Sequence, residues 1–191
     1  DIDWSGIDLL IGGSPCQGFS FAGKQLNFED ERSKLFFKYV DILNHLRTVN
    51  PNVKFLLENV RMKKEYQEII TEHLGVESVM IDSALVSAQR RKRLYWTNIA
   101  DIKQPEDKGI MLKDIVHETA DFVFECLEKY RVPFSKTLQI IEKEVGKSKV
   151  GYFRSDSQGN RVYHINDKSV TLVGNAGGMG AKTGLYLFSV V

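Results

Sequence analysis

Apolar positions in the first hundred residues follow two alternating rhythms. Ile7, Leu9, Leu10 and Ile11 form a short run that stops at two glycines, which predicts a buried strand over 7–11. Leu35, Phe36, Tyr39, Ile42, Leu43 and Leu46 then recur at three- and four-residue spacing. They predict a helix over about 33–46 with those six side chains as its buried face and Ser33 as its cap. Asn50-Pro51-Asn52 ends the connection. A second strand over 54–58, a second helix over about 63–74 closed by Gly75, and strands over 79–81 and 93–98 follow. Leu94, Tyr95 and Trp96 give the last of these its β character.

The rhythm changes near residue 105. Segments 111–116, 120–130 and 135–145 read as short helices. After Gly146, segments 150–154, 161–165, 169–173 and 185–190 read as strands separated by Asp, Asn, Ser and Gly. The chain has no internal repeat and no low-complexity tract. Strand–helix alternation in the first part predicts a parallel, Rossmann-like sheet. The second part reads as a small, mostly β domain.

Composition narrows the class. The 191 residues are 42% hydrophobic and 27% charged, as in an ordinary soluble globular protein with a real core. No signal-peptide pattern is seen, and no apolar run nears the ~18 residues of a membrane span. Two cysteines without paired spacing make neither a disulfide framework nor a zinc site, no metal is expected, and the compartment reads as reducing. The net charge of +1 says nothing about partners, but its distribution does. Residues 101–128 hold 3 Lys/Arg against 8 Asp/Glu, whereas 129–191 hold 10 against 4. A basic C-terminal third fits a phosphate-facing surface, although solvated lysines are the commoner meaning of such a bias.

The chemistry concentrates in Gly12-Gly13-Ser14-Pro15-Cys16-Gln17-Gly18-Phe19-Ser20. Two glycines would end the strand and turn the chain, and Pro15 would stiffen the turn. Cys16 is then held at the lip of a strand, where ligands gather in open α/β sheets. That makes it a candidate nucleophile. Cys126, within Phe122-Val123-Phe124-Glu125-Cys126-Leu127, reads instead as a buried small hydrophobe. His45, His73, His117 and His164 lack an orienting context, which disfavours acyl transfer through a Cys–His pair. Glu58 ends an apolar strand; such a carboxyl either caps the next turn or serves a site, and burial there would raise its pKa. In Gln89-Arg90-Arg91-Lys92-Arg93, alternate side chains share a face of an extended chain, so one pair can face a site and the other solvent or phosphate. Residues 174–184 hold five glycines, which suits either a flexible hairpin loop or a backbone that approaches a ligand closely. The spacing is not that of a P-loop.

Together these segments carry a family resemblance. The Pro15-Cys16-Gln17 loop with Gly18-Phe19-Ser20 and Phe28-Glu29-Asp30-Glu31-Arg32, the strand Phe55-Leu56-Leu57-Glu58-Asn59-Val60, and Gln89-Arg90-Arg91-Lys92-Arg93 occur in order. They resemble the motifs of DNA (cytosine-5)-methyltransferases of the prokaryotic and phage type. The pattern Gly177-Gly178-x-x-Ala181-Lys182-Thr183-Gly184-x-Tyr186 and the stretch Ser157-Gln158-Gly159-Asn160-Arg161-Val162-Tyr163 are similar to recognition loops of bacterial members.

The resemblance implies an α/β fold: a partial Rossmann-like methyltransferase sheet over 1–104, followed by a small, mostly β target-recognition domain over 105–191. It implies an enzyme that transfers a methyl group from S-adenosylmethionine to carbon 5 of a flipped-out cytosine in duplex DNA. Cys16 would add to carbon 6, because the ring is not nucleophilic enough unaided. Glu58 would hold or protonate ring nitrogen 3. Arg93 would contact the 2-oxo group, Arg91 would support the site, Asn59 would fix the loop and Gln89 would be structural. Pro15 and Leu35 would border the methyl donor.

The mobile loop over 17–32, with Gln17, Ser20 and Arg32 against DNA, would close over the flipped base. Gln158 would fill the vacated stack, and Arg161 would read guanine. Thr171 and Lys182 would contact the DNA backbone, with Gly177 and Gly178 allowing close approach. The family's cofactor-binding start, with its Phe-x-Gly-x-Gly turn, and its last motifs are not recognised here. The expectation is a central piece that is inactive alone. The alternative is a non-catalytic or split-enzyme DNA-binding subunit that needs a complementary chain. The setting implied is restriction-modification in a bacterial or phage-infected cytoplasm, at the nucleoid and away from membranes.

Overall fold

The computed structural model describes residues 3–14, 34–115, 138–140, 149–153, 157–171 and 185–187. The chain divides into two compact units, Asp1–Asp82 with Lys92–Gln104, and Ser83–Arg91 with Pro105–Val191.

The first unit is built on a sheet of four strands: β1 (Leu9–Gly13), β2 (Lys54–Val60), β3 (Ser78–Asp82) and β4 (Lys92–Thr97). Their spatial order is β1-β2-β4-β3. β1 and β2 are parallel, with helix α1 (Lys34–Val49) between them in sequence. β4 runs antiparallel to both of its neighbours, which corrects the all-parallel sheet expected. The reason is length. Only Ser83–Arg91 links β3 to β4, and a parallel crossover needs about a dozen residues or more.

β1 also departs from expectation. It is an edge strand of this sheet, and Leu9 and Ile11 are 47% and 65% exposed rather than buried. Gly12 and Gly13 continue the strand instead of turning it. They are small for another reason: a Cβ on Gly12 would lie 2.7 Å from the Tyr39 ring, and one on Gly13 would lie 3.3 Å from Glu58 Oε2.

α1 buries Phe36, Tyr39, Val40, Leu43 and Leu46. Leu35 and Ile42 were expected on this face but are 53% and 36% exposed. At about 100° per residue, they lie roughly 75–95° round from the centre of the buried stripe. Helix α2 (Lys64–Leu74) buries Tyr66, Ile70 and Leu74. Gly75 closes it as anticipated, with φ 75°, and its N–H donates to Thr71 O over 2.8 Å. Both helices share one core with Phe55, Leu57, Leu94 and Trp96 from β2 and β4. Trp96 satisfies its buried indole N–H by donating to Thr71 Oγ1 at 3.0 Å. Strand alternation therefore sends Glu58, Tyr95 and Arg93 to the opposite face. Among the described residues, no helix is long and apolar enough to cross a membrane.

The second unit carries a sheet of β5 (Leu138–Ile140), β6 (Lys149–Phe153), β7 (Arg161–His164) and β8 (Leu185–Leu187), in that order. β5 and β7 are antiparallel to β6, and β8 is parallel to β7. β5 lies within the stretch 135–145, which was expected to be helical. Leu138-Gln139-Ile140 fits the strand period over so short a window, and pairing with β6 decides it. In the stretch 111–116, the described residues 111–115 form a single 3-10 turn, Leu112–Asp114, capped by Asp114 Oδ2 accepting from the Met111 N–H at 2.7 Å. Within the stretch 169–173, Ser169 makes an isolated bridge with Gln89 rather than part of a strand. The expected helix over 120–130, with Cys126, lies outside the described residues, as do Ser33 and the glycine-rich stretch 174–184.

Candidate active site

The carboxyl ends of β1 and β2 lie side by side, with Gly13 in register with Glu58. Across the sheet, Glu58 faces Tyr95 and Val60 faces Arg93. Glu58 and Arg93 are thus diagonal neighbours on one face, within reach of long side chains. Arg93 Nε lies 2.8 Å from Glu58 Oε1, with side-chain exposures of 14% and 34%. Glu58 is therefore only partly covered, not buried as expected from its apolar strand. The Arg93 Nε is itself buried, and its N–H is not aimed in line at that oxygen, so the contact is an ion pair without an aligned hydrogen bond. A second guanidinium nitrogen, Nη1, donates to Lys92 O at 2.8 Å and tethers the group along its own strand. Gly13 leaves the space that the carboxylate occupies.

Asn59 points the other way and is 1% exposed. Its Nδ2 donates to Ser14 Oγ at 2.8 Å, with a longer contact to Ser14 O at 3.4 Å, and its Oδ1 accepts from the Val60 N–H at 2.8 Å. The end of β1 is thereby tied to the end of β2, two residues before Cys16. Pro15, Cys16, Gln17, Ser20 and Arg32 lie outside the described residues. Leu35 stands in the first turn of α1 with an open apolar side chain.

In the second unit, Ser83–Arg91 is a folded excursion. Ser83 Oγ donates to Gln89 O at 2.9 Å, and Ser87 Oγ donates to Ser83 O at 2.8 Å. Gln89 acts here through its backbone, bridging Ser169. Arg90 is exposed and Arg91 half-buried, while beyond them Lys92 is exposed and Arg93 half-buried, an alternation that follows the period of an extended chain. Lys168 escaped the sequence reading. It is 8% exposed, and its ammonium donates to the carbonyls of Ala84 and Ser87 and pairs with Asp107. The Gly109 N–H, and then Lys168, hold the Asp107 carboxyl below its ordinary pKa. No sequence signal marks a lysine of this kind, because its partners are backbone oxygens from remote segments.

Of the residues assigned to recognition, Gln158 is exposed in a 3-10 turn, Gln158–Asn160, and Arg161 opens β7 half-buried. The Thr171 hydroxyl donates to Arg90 O at 2.6 Å. Gly177, Gly178 and Lys182 lie outside the described residues.

Known proteins resemble the chain over most of its length. Residues 1–168 match the family of C-5 cytosine-specific DNA methylases. The chain is 30% identical to an orphan methyltransferase, M.Rho11sI, of Bacillus phage rho11s, over 94% of this chain and 47% of that protein. It is 31% identical to the type II methyltransferase M.HhaI of Haemophilus parahaemolyticus, over 94% of this chain and 59% of that protein. A third relative, M.NgoBV of Neisseria gonorrhoeae, is 30% identical over 75% of this chain and 40% of its own length. The chain thus spans about half the length of the first two of these curated relatives. With most of its residues matching one family, and its strand-end motifs in that family's order, the chain belongs to the C-5 cytosine-specific DNA methylases.

Proposed function

We propose that this chain supplies the catalytic strand ends and a target-recognition region of a DNA cytosine-5 methyltransferase. In this reading residues 1–104 are the central part of a Rossmann-like catalytic domain, and 105–191 the target-recognition domain. The substrate is cytosine in duplex DNA, acted on in the cytoplasm. The observation that carries it is the Glu58–Arg93 pair at the end of β2, beside Gly13 and an Asn59–Ser14 bond that leads directly to Cys16.

Each residue then has a task. Cys16 adds to carbon 6 of a flipped cytosine and makes carbon 5 nucleophilic. Glu58 meets ring nitrogen 3 and steadies the charge that develops there. Arg93, already tethered to Glu58 and Lys92 O, presents its guanidinium to the 2-oxo group. Asn59 holds Ser14, the last described residue before the Pro15-Cys16 motif. Leu35 is an apolar side chain open to a ligand, which fits a border to the methyl donor. S-adenosylmethionine, when bound, supplies an electrophilic methyl group. Gln158 and Arg161 enter the DNA from the second unit.

Covalent trapping tests the reading. The intact protein is incubated with S-adenosylmethionine and duplex DNA carrying 5-fluorocytosine, and adducts are read by mass spectrometry. A donor-dependent adduct that vanishes in Cys16→Ser is the expected result. A protein that forms no adduct in any sequence context refutes the reading.

A further inference from the structure

Lys168, Ser169 and Thr171 grip the excursion Ser83–Arg91 with an unusual density of bonds. The Lys168 ammonium takes the carbonyls of Ala84 and Ser87. The Ser169 N–H donates to Ala88 O at 2.6 Å, and Ser169 O accepts from the Arg90 N–H at 2.9 Å. Thr171 Oγ1 donates to Arg90 O at 2.6 Å. Both backbone polar groups of Arg90 are therefore taken. Its side chain is exposed and makes no ion pair or hydrogen bond among the described residues. A covered ammonium costs several kcal/mol unless paired, so Lys168 is not an incidental surface lysine. An exposed guanidinium on an immobilised backbone has lost part of its freedom in advance, and its planar fork matches a phosphate.

We propose that Arg90 contacts a phosphate of duplex DNA, and that the stretch 168–171 is the positioning element that presents it. The inference rests on the function proposed above and adds to it a residue that the cytosine chemistry leaves unused. Lys168 and Thr171 act through Arg90 and are positioning residues.

The test is equilibrium binding of the intact protein to a cytosine-containing duplex across a salt series. One phosphate contact contributes a slope of about 0.9 in log K against log salt, which is about 5-fold between 1 M and 0.15 M salt. Arg90→Gln is expected to lower the slope by about that amount and to weaken binding about 5-fold at the lower salt. Lys168→Met is expected to lower the slope in the same direction although Arg90 is still present. The double variant should bind no more weakly than the weaker single. Should Lys168→Met fail to fold, Thr171→Val carries the same expectation, because it removes only the hydroxyl on Arg90 O.

A core change in the same unit, Ile165→Val, should lower the melting temperature and leave the slope alone, which separates positioning from general destabilisation. Binding with an unchanged slope in Arg90→Gln overturns the inference and spares the proposed function. Losses that multiply in the double variant overturn the positioning role of Lys168. An intact protein that neither binds duplex DNA nor forms the 5-fluorocytosine adduct removes the proposed function, and this inference with it.

Discussion

Gly12→Ala is a sharp test of how β1 is packed. The new methyl carbon would lie 2.7 Å from both Cδ2 and Cε2 of Tyr39. Carbon contacts are optimal at about 3.5–4.0 Å, so the shortfall is about 1 Å at two atoms. The ring has little room to yield. Tyr39 is 9% exposed within the α1 core face, and its hydroxyl donates to Leu10 O, in the same strand, at 3.4 Å. Overpacking of this kind costs about 1–3 kcal/mol. Removing glycine from the unfolded chain returns about 0.4–1 kcal/mol. The net expectation is a loss of about 1–2 kcal/mol, or about 2–8 °C in melting temperature for a chain of this length.

Thermal and urea unfolding followed by fluorescence measures it, with the fully buried Trp96 as a reporter of the same core. Gly13→Ala is the internal comparison. Its nearest neighbour is the tip of the partly exposed Glu58 at 3.3 Å. Stability should change by less than about 0.5 kcal/mol while methyl transfer falls, since the carboxylate that moves belongs to the proposed site. The reasoning is refuted if Gly12→Ala is as stable as the parent. It is equally refuted if the cost is the same in a Tyr39→Leu background, where the ring is gone.

Other consequences follow from the same geometry. Glu58→Gln keeps the shape beside Arg93 and removes the charge; single-turnover methyl transfer should fall about 10²–10⁴-fold, with duplex affinity nearly unchanged. Asn59→Ala leaves the Val60 N–H and the Ser14 hydroxyl without their partner, so urea unfolding should show a loss of about 2–3 kcal/mol and 5-fluorocytosine trapping should slow. Burial raises the Tyr39 phenol above its ordinary 10.0, with Arg47 opposing. The folded state thus favours the neutral ring, and its contribution to stability is complete below pH 10 and declines as pH rises beyond it, because only the unfolded chain ionises there. Tyr39→Phe should flatten that alkaline decline in a pH series of urea midpoints.

Much of this protein is decided locally, and its sequence alone carries that part. The α1 stripe of Phe36, Tyr39, Leu43 and Leu46, the Gly75 stop, and the strand ending in Glu58-Asn59-Val60 all arise from near-neighbour periodicity and backbone preference. The strand-end motifs are legible in the sequence by their resemblance to a known family, which the comparison bears out. Other features depend on which segments meet. β4 is antiparallel because nine residues, Ser83–Arg91, cannot cross the sheet. Leu35 and Ile42 fall outside the buried stripe because the core covers a narrower arc than their spacing suggested. Gly12 and Gly13 are required by Tyr39 and Glu58, which are remote in sequence, and not by a turn. Lys168 draws its meaning from carbonyls about eighty residues away, at Ala84 and Ser87. Hydrophobic period is written along the chain, whereas the partner of a buried charge and the space beside a missing Cβ exist only once distant segments have packed.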